Sequence, residues 1–445
     1  MMKFSDYIFR FAREKGNVLF FSGDEKKMTF REGAEEINKR SAFLKKLPVE
    51  GKVSGLYFTN PADQLLYFLA VQAAGGIPVL VHEYLKAEDI RELLTERPID
   101  LFISEKDFPA LPMIKSDSLF ILENKNSGKR NSDFGVLTSG STGIPKIFFR
   151  KGESWSDFFP IQNRIFEVDG KARLFLHGSL AFTGNLNMAM AFLAEGVSLY
   201  CTGRLLPKSW LQTIKNEEIT HVYLIPSKLS PLSKVKGKAD SLKYILTGSQ
   251  LMTAALFERL ERVFPCSKVI LYYGASELSY ISYIEGKDIL HAPDSVGKPF
   301  PGISVSTKDG EIWVDTPYGV EGIERPFTCH DLGRMDEKGY LHFLGRREDM
   351  YFIQGNHVAR QKVLAHLLMI PGVEEAEVLA IKKDHGDDRM IAFLAGDVPD
   401  SSGLVRLLSK NLFFWEIPSR FISVDVIPRT STGKTDKKKL LSLIK

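Results

Sequence analysis

The chain has 445 residues, 44% of them hydrophobic, which is too long for one ordinary core and ample for two or more packed domains. Its formal charge is only +4, from 59 basic and 55 acidic residues that are interspersed, so nucleic acid is not an expected partner and no membrane-surface footprint stands out. Cys201, Cys266 and Cys329 are odd in number, far apart and without metal-ligand spacing, and read as free thiols in a reducing cytoplasm.

Lys3, Asp6, Arg10 and Arg13 interrupt the first apolar residues, and the longest apolar run, 65–81, contains Gln72, Gly75, Gly76 and Pro78. Neither a signal peptide nor a membrane span is expected. Thr29 reads as the N-cap of a helix carrying Phe30, Ala34, Ile37, Ala42 and Leu44 on near-helical spacing. A strand at 53–57, a largely buried helix at 62–74, a strand at 77–81, a helix at 87–96 and a strand at 101–104 follow. This alternation predicts a parallel sheet covered by helices. A polar stretch, 123–133, follows a further strand signal at 119–122.

The extended piece 135–137 then runs into Thr138-Ser139-Gly140-Ser141-Thr142-Gly143-Ile144-Pro145-Lys146. The two glycines free the backbone to turn its N–H groups inward, the hydroxyls add donors, and Lys146 supplies a mobile positive charge. That combination suits a polyphosphate. It is not a Walker A loop, because the Gly-Lys-Ser/Thr ending is absent.

Beyond this loop, strands at 172–176 and 197–201 flank a small-residue segment, 178–194. A helix at 208–218, strands at 221–225 and 242–246, a helix at 253–264 and a strand at 268–272 resume the alternation. Two strands end in loops, at Gly248-Ser249-Gln250 and at Tyr273-Gly274-Ala275-Ser276-Glu277, where open α/β sheets bind ligands. From about residue 299 short strands and turns read as antiparallel. A small α+β unit closes the chain, with helices at 358–368 and 402–412 and strands at 376–381, 390–394 and 421–426. The expected fold is α/β: a large N-terminal domain, 1–346, of mixed sheets covered by helices plus a small antiparallel section, and a small α+β domain, 347–445.

Five motifs in series carry a resemblance: 138–146, Tyr273 to Glu277, His330-Asp331-Leu332-Gly333-Arg334, Gly345-Arg346-Arg347-Glu348-Asp349, and Pro428-Arg429-Thr430-Ser431-Thr432-Gly433-Lys434. Their order and spacing resemble the adenylate-forming superfamily of acyl-CoA synthetases, adenylation domains and luciferases, and the acyl-CoA ligases most of all. The resemblance implies that ATP and Mg²⁺ are used to join a carboxylic acid to AMP with release of pyrophosphate, after which a thiol attacks the acyl-AMP. A carboxylate is a poor electrophile, and the mixed anhydride makes its carbonyl reactive.

By this resemblance Thr138, Ser139, Gly140, Ser141, Thr142, Gly143 and Lys146 hold the β- and γ-phosphates. Glu277 holds Mg²⁺, a hard cation that prefers oxygen ligands, with Thr142 assisting. Tyr273 lies on the adenine with Gly274 and Ser276 beside it, and Gly248, Ser249 and Gln250 line the other side. Asp331 accepts the two ribose hydroxyls, helped by Arg346. Lys434 bridges the attacking carboxylate and the α-phosphate. Glu348 is the hinge about which the C-terminal domain turns between the two half-reactions, and Gly355 then adjoins the arm of CoA. The acid pocket uses 177–190, with Phe182 and Thr183, and the segment after Glu277. Amino-acid-activating relatives place an aspartate after the phenylalanine; Thr183 offers no such counter-charge, so an acid lacking an α-amine is expected.

Three departures stand out: Ser276 for a threonine, Cys329-His330 for Thr-Gly, and Lys362 for a glutamate. They leave the acceptor open between CoA and the phosphopantetheine of a carrier protein. A low-turnover nucleotide-binding regulator is a third reading, and a homodimer is left open. The run Lys437, Lys438, Lys439 reads as a solvated helix face.

Overall fold

The computed structural model describes residues 3–124, 130–138, 144–250, 252–292, 295–347, 350–353, 356–381, 388–429 and 435–444, with only the backbone of His357. Four sheets organise them. In the seven-stranded sheet, Leu101–Ser104, Val53–Tyr57, Ile77–Val81 and Phe134–Thr138 run parallel, and antiparallel strands close both edges. The four parallel strands are nearly all apolar and buried, as strands covered on both faces must be.

The thirteen-stranded sheet is parallel through Lys268–Ala275, Tyr244–Gly248, His221–Tyr223, Arg173–His177, Ser198–Thr202 and Leu19–Gly23. It turns antiparallel at Ser279–Glu285 and stays so through Ser295–Pro299, Leu341–Arg346, Asp331–Met335, Glu311–Asp315 and Ser304–Lys308. The antiparallel section expected from the sequence is therefore the continuation of the parallel sheet. The hairpin between Lys268–Ala275 and Ser279–Glu285 makes the switch, and Glu277 sits in its turn.

Local chemistry accounts for most boundaries. Thr29 caps Phe30–Leu44 by accepting from Glu32 N at 3.3 Å while the Glu32 carboxylate bonds back to Thr29 N, a reciprocal capping box. Helix Pro61–Ala73 begins at the Asn60 cap with proline in its first turn and is buried almost all round, between the two large sheets' other elements. The segment 178–194 contains the buried helix Thr183–Ala194. Two N-terminal elements add to those expected: helix Phe4–Lys15, whose Phe4, Tyr7, Ile8 and Phe11 recur at helical spacing and face the core, and strand Leu19–Gly23, which extends the large sheet beside Ser198–Thr202.

Toward the C-terminus, Val373–Ile381, Arg389–Gly396 and Arg420–Ser423 form a three-stranded sheet, and Met350–Ile353 pairs with Asn356–Ala359. The helix expected from 358 starts at Arg360, because β-branched Val358 pairs with Tyr351 in that hairpin. Lys437, Lys438 and Lys439 lie exposed on helix Lys437–Ser442. Among the described residues no helix is long and apolar enough to cross a membrane.

Candidate active site

The carboxyl ends of the parallel strands in the large sheet gather the expected residues. Strand Lys268–Ala275 ends in Tyr273, Gly274 and Ala275, and Ser276 and Glu277 form the turn that follows. Gly274 is where the register shifts against Ser279–Glu285; a methyl group there would stand 2.3 Å from Ser279 O, so only glycine fits.

Asp331 opens its strand directly opposite Arg346, which closes the neighbouring one, so the register itself pairs them. Arg346 Nε lies 3.3 Å from Asp331 Oδ1. The Tyr273 hydroxyl donates to Asp331 Oδ2, and the carboxylate is 3% exposed. Burial, reinforced by the Asp331 charge, holds the Tyr273 phenol well above its ordinary range, so it stays a donor. Cys329 is half-buried nearby, and burial together with Glu277 and Asp331 pushes its thiol up, which leaves it unreactive.

Thr138 ends strand Phe134–Thr138 and pairs with Lys146, the first residue of strand Lys146–Arg150, so the expected phosphate loop is closed at its base by this pair. Arg97 anchors that base from outside, donating to Pro145 O at 2.8 Å and Ile144 O at 3.4 Å. Lys146 is exposed. Ser139, Gly140, Ser141, Thr142 and Gly143 lie outside the described residues, as do Glu348, Gly355 and Lys434.

The same strand supplies a residue that the sequence did not reveal. Arg150 is fully buried and donates through Nη2 to Ser276 O at 2.6 Å, and through Nη1 to Tyr318 O at 3.0 Å and Ser154 Oγ at 3.2 Å. Tyr318 O also accepts from Ser279 Oγ at 3.0 Å, and Glu277 O accepts from Val320 N at 2.8 Å. One cation thus ties the hairpin strand, the Glu277 turn and the 318–320 segment together. Burial pushes its pKa down to about 9 against the opposing pull of the Glu277 carboxylate, so it remains charged at neutral pH.

Gln250 Oε1 accepts from Ser227 N at 2.9 Å, while Ser249 is exposed with a left-handed backbone (φ 64°). Thr183 begins its helix and its Oγ1 accepts from Ser276 Oγ at 3.2 Å; Phe182 packs on His82 with ring centroids 4.7 Å apart.

A family model described as AMP-binding enzyme matches residues 8–323, well over half of the chain. The chain belongs to the AMP-binding enzyme family. Among its curated relatives, the uncharacterized acyl-CoA ligase YhfT of Bacillus subtilis is 22% identical over 441 residues, covering 92% of each chain. The putative long chain fatty acid-CoA ligase VraA of Staphylococcus epidermidis is 24% identical over 458 residues, covering 99% of this chain and 98% of its own. In structure, o-succinylbenzoate CoA synthetase (MenE) from Bacillus subtilis, in complex with the acyl-adenylate OSB-AMP, superposes with a TM-score of 0.83 at 19% identity. The match covers 98% of this chain and 97% of that one. With ATP and magnesium ion bound, the same enzyme gives a TM-score of 0.81 at 18% identity, covering 98% and 99%. These likenesses show the fold.

For an AMP-binding enzyme the donor chemistry at Glu277 fits a hard cation. Its half-buried carboxylate has no hydrogen bond or ion pair at contact distance among the described residues. Three or more side chains of metal-binding type do not converge anywhere among the described residues, so most of a magnesium ion's ligands there would be phosphate oxygens and water.

Proposed function

We propose that this AMP-binding enzyme is an acid–thiol ligase, which converts a carboxylic acid and ATP to acyl-AMP and pyrophosphate and passes the acyl group to CoA. The observation that carries the reading is the cluster at the strand ends: Tyr273, Asp331 and Arg346 form one bonded set, with Glu277 beside it on a turn clamped by Arg150. In this reading Asp331 accepts the ribose hydroxyls, Tyr273 lies along the adenine opposite Gly248, Ser249 and Gln250, and the hairpin from Thr138 to Lys146 encloses the β- and γ-phosphates. Glu277 and Thr142 hold the magnesium ion, which supplies charge neutralisation on the phosphates when bound. The Arg150 clamp keeps the Glu277 turn from moving as charge shifts from the α-phosphate to the leaving pyrophosphate. The closeness of the fold to enzymes named as CoA ligases supports CoA as acceptor.

Pyrophosphate release should require ATP, Mg²⁺ and an organic acid, with AMP as the nucleotide product; ADP as product would overturn the reading. Mass spectrometry separates the acceptors. If acyl-AMP accumulates with CoA present and clears only on addition of a phosphopantetheinylated carrier protein, the carrier is the acceptor. Residues 1–346 and 347–445 act as two units hinged at Glu348, so Lys434→Ala should slow adenylation by about 10²- to 10³-fold while synthetic acyl-AMP is still converted to thioester. Gly355→Leu should show the reverse. Equal loss in both half-reactions from both substitutions would refute the hinge.

A further inference from the structure

Three consecutive aromatic residues stand at the surface of the C-terminal unit. Phe413 caps the short 3₁₀ turn Phe414–Glu416 and is 61% exposed, and Phe414 is 70% exposed. The turn holds them in place. Phe413 stacks on Trp415 with ring centroids 4.7 Å apart, Phe414 meets the same indole edge-on at 4.8 Å, and Trp415 packs against the core of the unit. The Phe413 N–H donates to the Glu416 carboxylate at 3.0 Å, which closes the turn on itself.

The charge around these rings is of one sign. Between residues 401 and 424 the ionisable side chains are Arg406, Lys410, Glu416 and Arg420. The three cations are exposed, whereas Glu416 is buried and its carboxylate accepts from Lys362 Nζ at 2.6 and 2.8 Å. The Lys362 ammonium in turn lies 5.5 Å from the centre of the Phe413 ring. Helix Ser401–Leu408 turns Leu404 and Leu408 to the core and leaves Val405 exposed beside Arg406. This local excess of positive charge is invisible in the overall +4, which averages over the whole chain.

The size and shape of the patch select its occupant. Phe413 and Phe414 together leave roughly 250 Å² in water, well short of the ~800 Å² that each partner of a standard protein interface buries. A lipid interface needs neither that area nor a matching shape. Projecting aromatic rings settle at the boundary of headgroups and acyl chains, and cations beside them are drawn to anionic headgroups.

We infer that the face built by Phe413, Phe414, Arg406, Lys410 and Arg420 docks the C-terminal unit on a lipid surface that carries anionic headgroups. The contact is peripheral, with the cations recruiting the chain and the two rings holding it. The inference goes beyond the ligase reading and does not depend on which acid is activated.

The test is co-sedimentation of the full chain with vesicles of phosphatidylcholine alone and of phosphatidylcholine with about 30% phosphatidylserine. The mixed vesicles should be bound about tenfold or more tightly than the neutral ones, and raising the salt from about 0.05 to about 0.5 M should weaken that binding about tenfold. The double variant Phe413→Ser, Phe414→Ser should bind about tenfold more weakly, and so should Arg406→Ser, Lys410→Ser, both with unchanged Tm because the four side chains are exposed. Binding to neither kind of vesicle, equal binding to both, or full binding by the phenylalanine variant would overturn the inference. So would a chain that ignores vesicles but forms a dimer that the phenylalanine variant takes apart, or one that instead binds an acidic carrier protein through the same residues. If the phenylalanine variant does not fold, the Arg406→Ser, Lys410→Ser variant and the salt series decide.

Discussion

The crevice at the strand ends and the packing behind it are of opposite character. On the side proposed to take the nucleotide the groups are ionic: Arg150, Glu277, Asp331 and Arg346, with Arg150 wholly buried and Asp331 nearly so. Behind them, against helix Thr183–Ala194, they are neutral: the Tyr223, Tyr272 and Tyr280 phenols and the Gln162 amide that bonds Tyr280. The difference teaches what each place asks of its polar groups. A polyphosphate needs fixed charges already desolvated and held by neighbours, whereas phenols and an amide buried in the core need one another's hydrogen bonds.

Breaking the ionic wall should cost most. Glu277→Gln keeps the shape of the side chain and removes its charge, so pyrophosphate release should fall by about 10²- to 10³-fold at saturating ATP. A loss below tenfold would take Glu277 out of the reaction. Arg150→Met should come next, because it strips the donors from Ser276 O and Tyr318 O in a buried place. Chemical denaturation should show a loss of about 2–4 kcal/mol, with a raised KM for ATP, and Arg150→Lys should recover part of both. An unchanged KM for ATP in a folded Arg150→Met protein would confine the clamp to stability.

Two buried histidines of the large sheet should reveal themselves through pH. His177 is pushed down to about 3, by burial first and then by the Lys228 ammonium, with Asp24 and backbone bonds opposing. His221, deeper under the sheet, is pushed down to about 4 by burial, against its bond to Phe166 O. Both folded values lie below the ordinary 6.5, so below that pH the unfolded chain binds more protons and stability falls as pH drops. Each imidazole should contribute a slope of about 1.4 kcal/mol per pH unit between 6.5 and 4. Denaturation at pH 7, 6 and 5 measures it, and His177→Phe should remove one histidine's share. A slope that does not change in that variant would place the acid sensitivity elsewhere.

The smallest expected effect lies at His330, beside the ionic wall. Its backbone is left-handed (φ 59°), the region that favours glycine, and its own exposed ring lies 3.3 Å from the buried Glu311 carboxylate. His330→Gly should therefore raise stability by about 0.5–1 kcal/mol in denaturation. A loss would mean that the Glu311 contact outweighs the backbone strain.

By itself the sequence determined the α/β alternation, because strands such as 53–57, 77–81 and 101–104 are apolar runs bounded by helices with readable caps. It also singled out the loops proposed to carry ligand chemistry, since Gly274, Ser276, Glu277, Asp331 and Arg346 differ sharply from their neighbours in charge or freedom. Only the tertiary structure decided that Lys146 starts a strand, that the antiparallel section continues the parallel sheet, and that Leu19–Gly23 joins it across a separation of about 180 residues. Only it turned Arg150 from one basic residue among 59 into the clamp of the Glu277 turn, and Tyr223, Tyr272 and Tyr280 from strand residues into one hydroxyl cluster. The reason is physical. Periodicity and capping act over a few residues and leave their mark in the chain, while burial of a charge or the meeting of three phenols depends on which strands become neighbours, and that pairing is set by non-local packing.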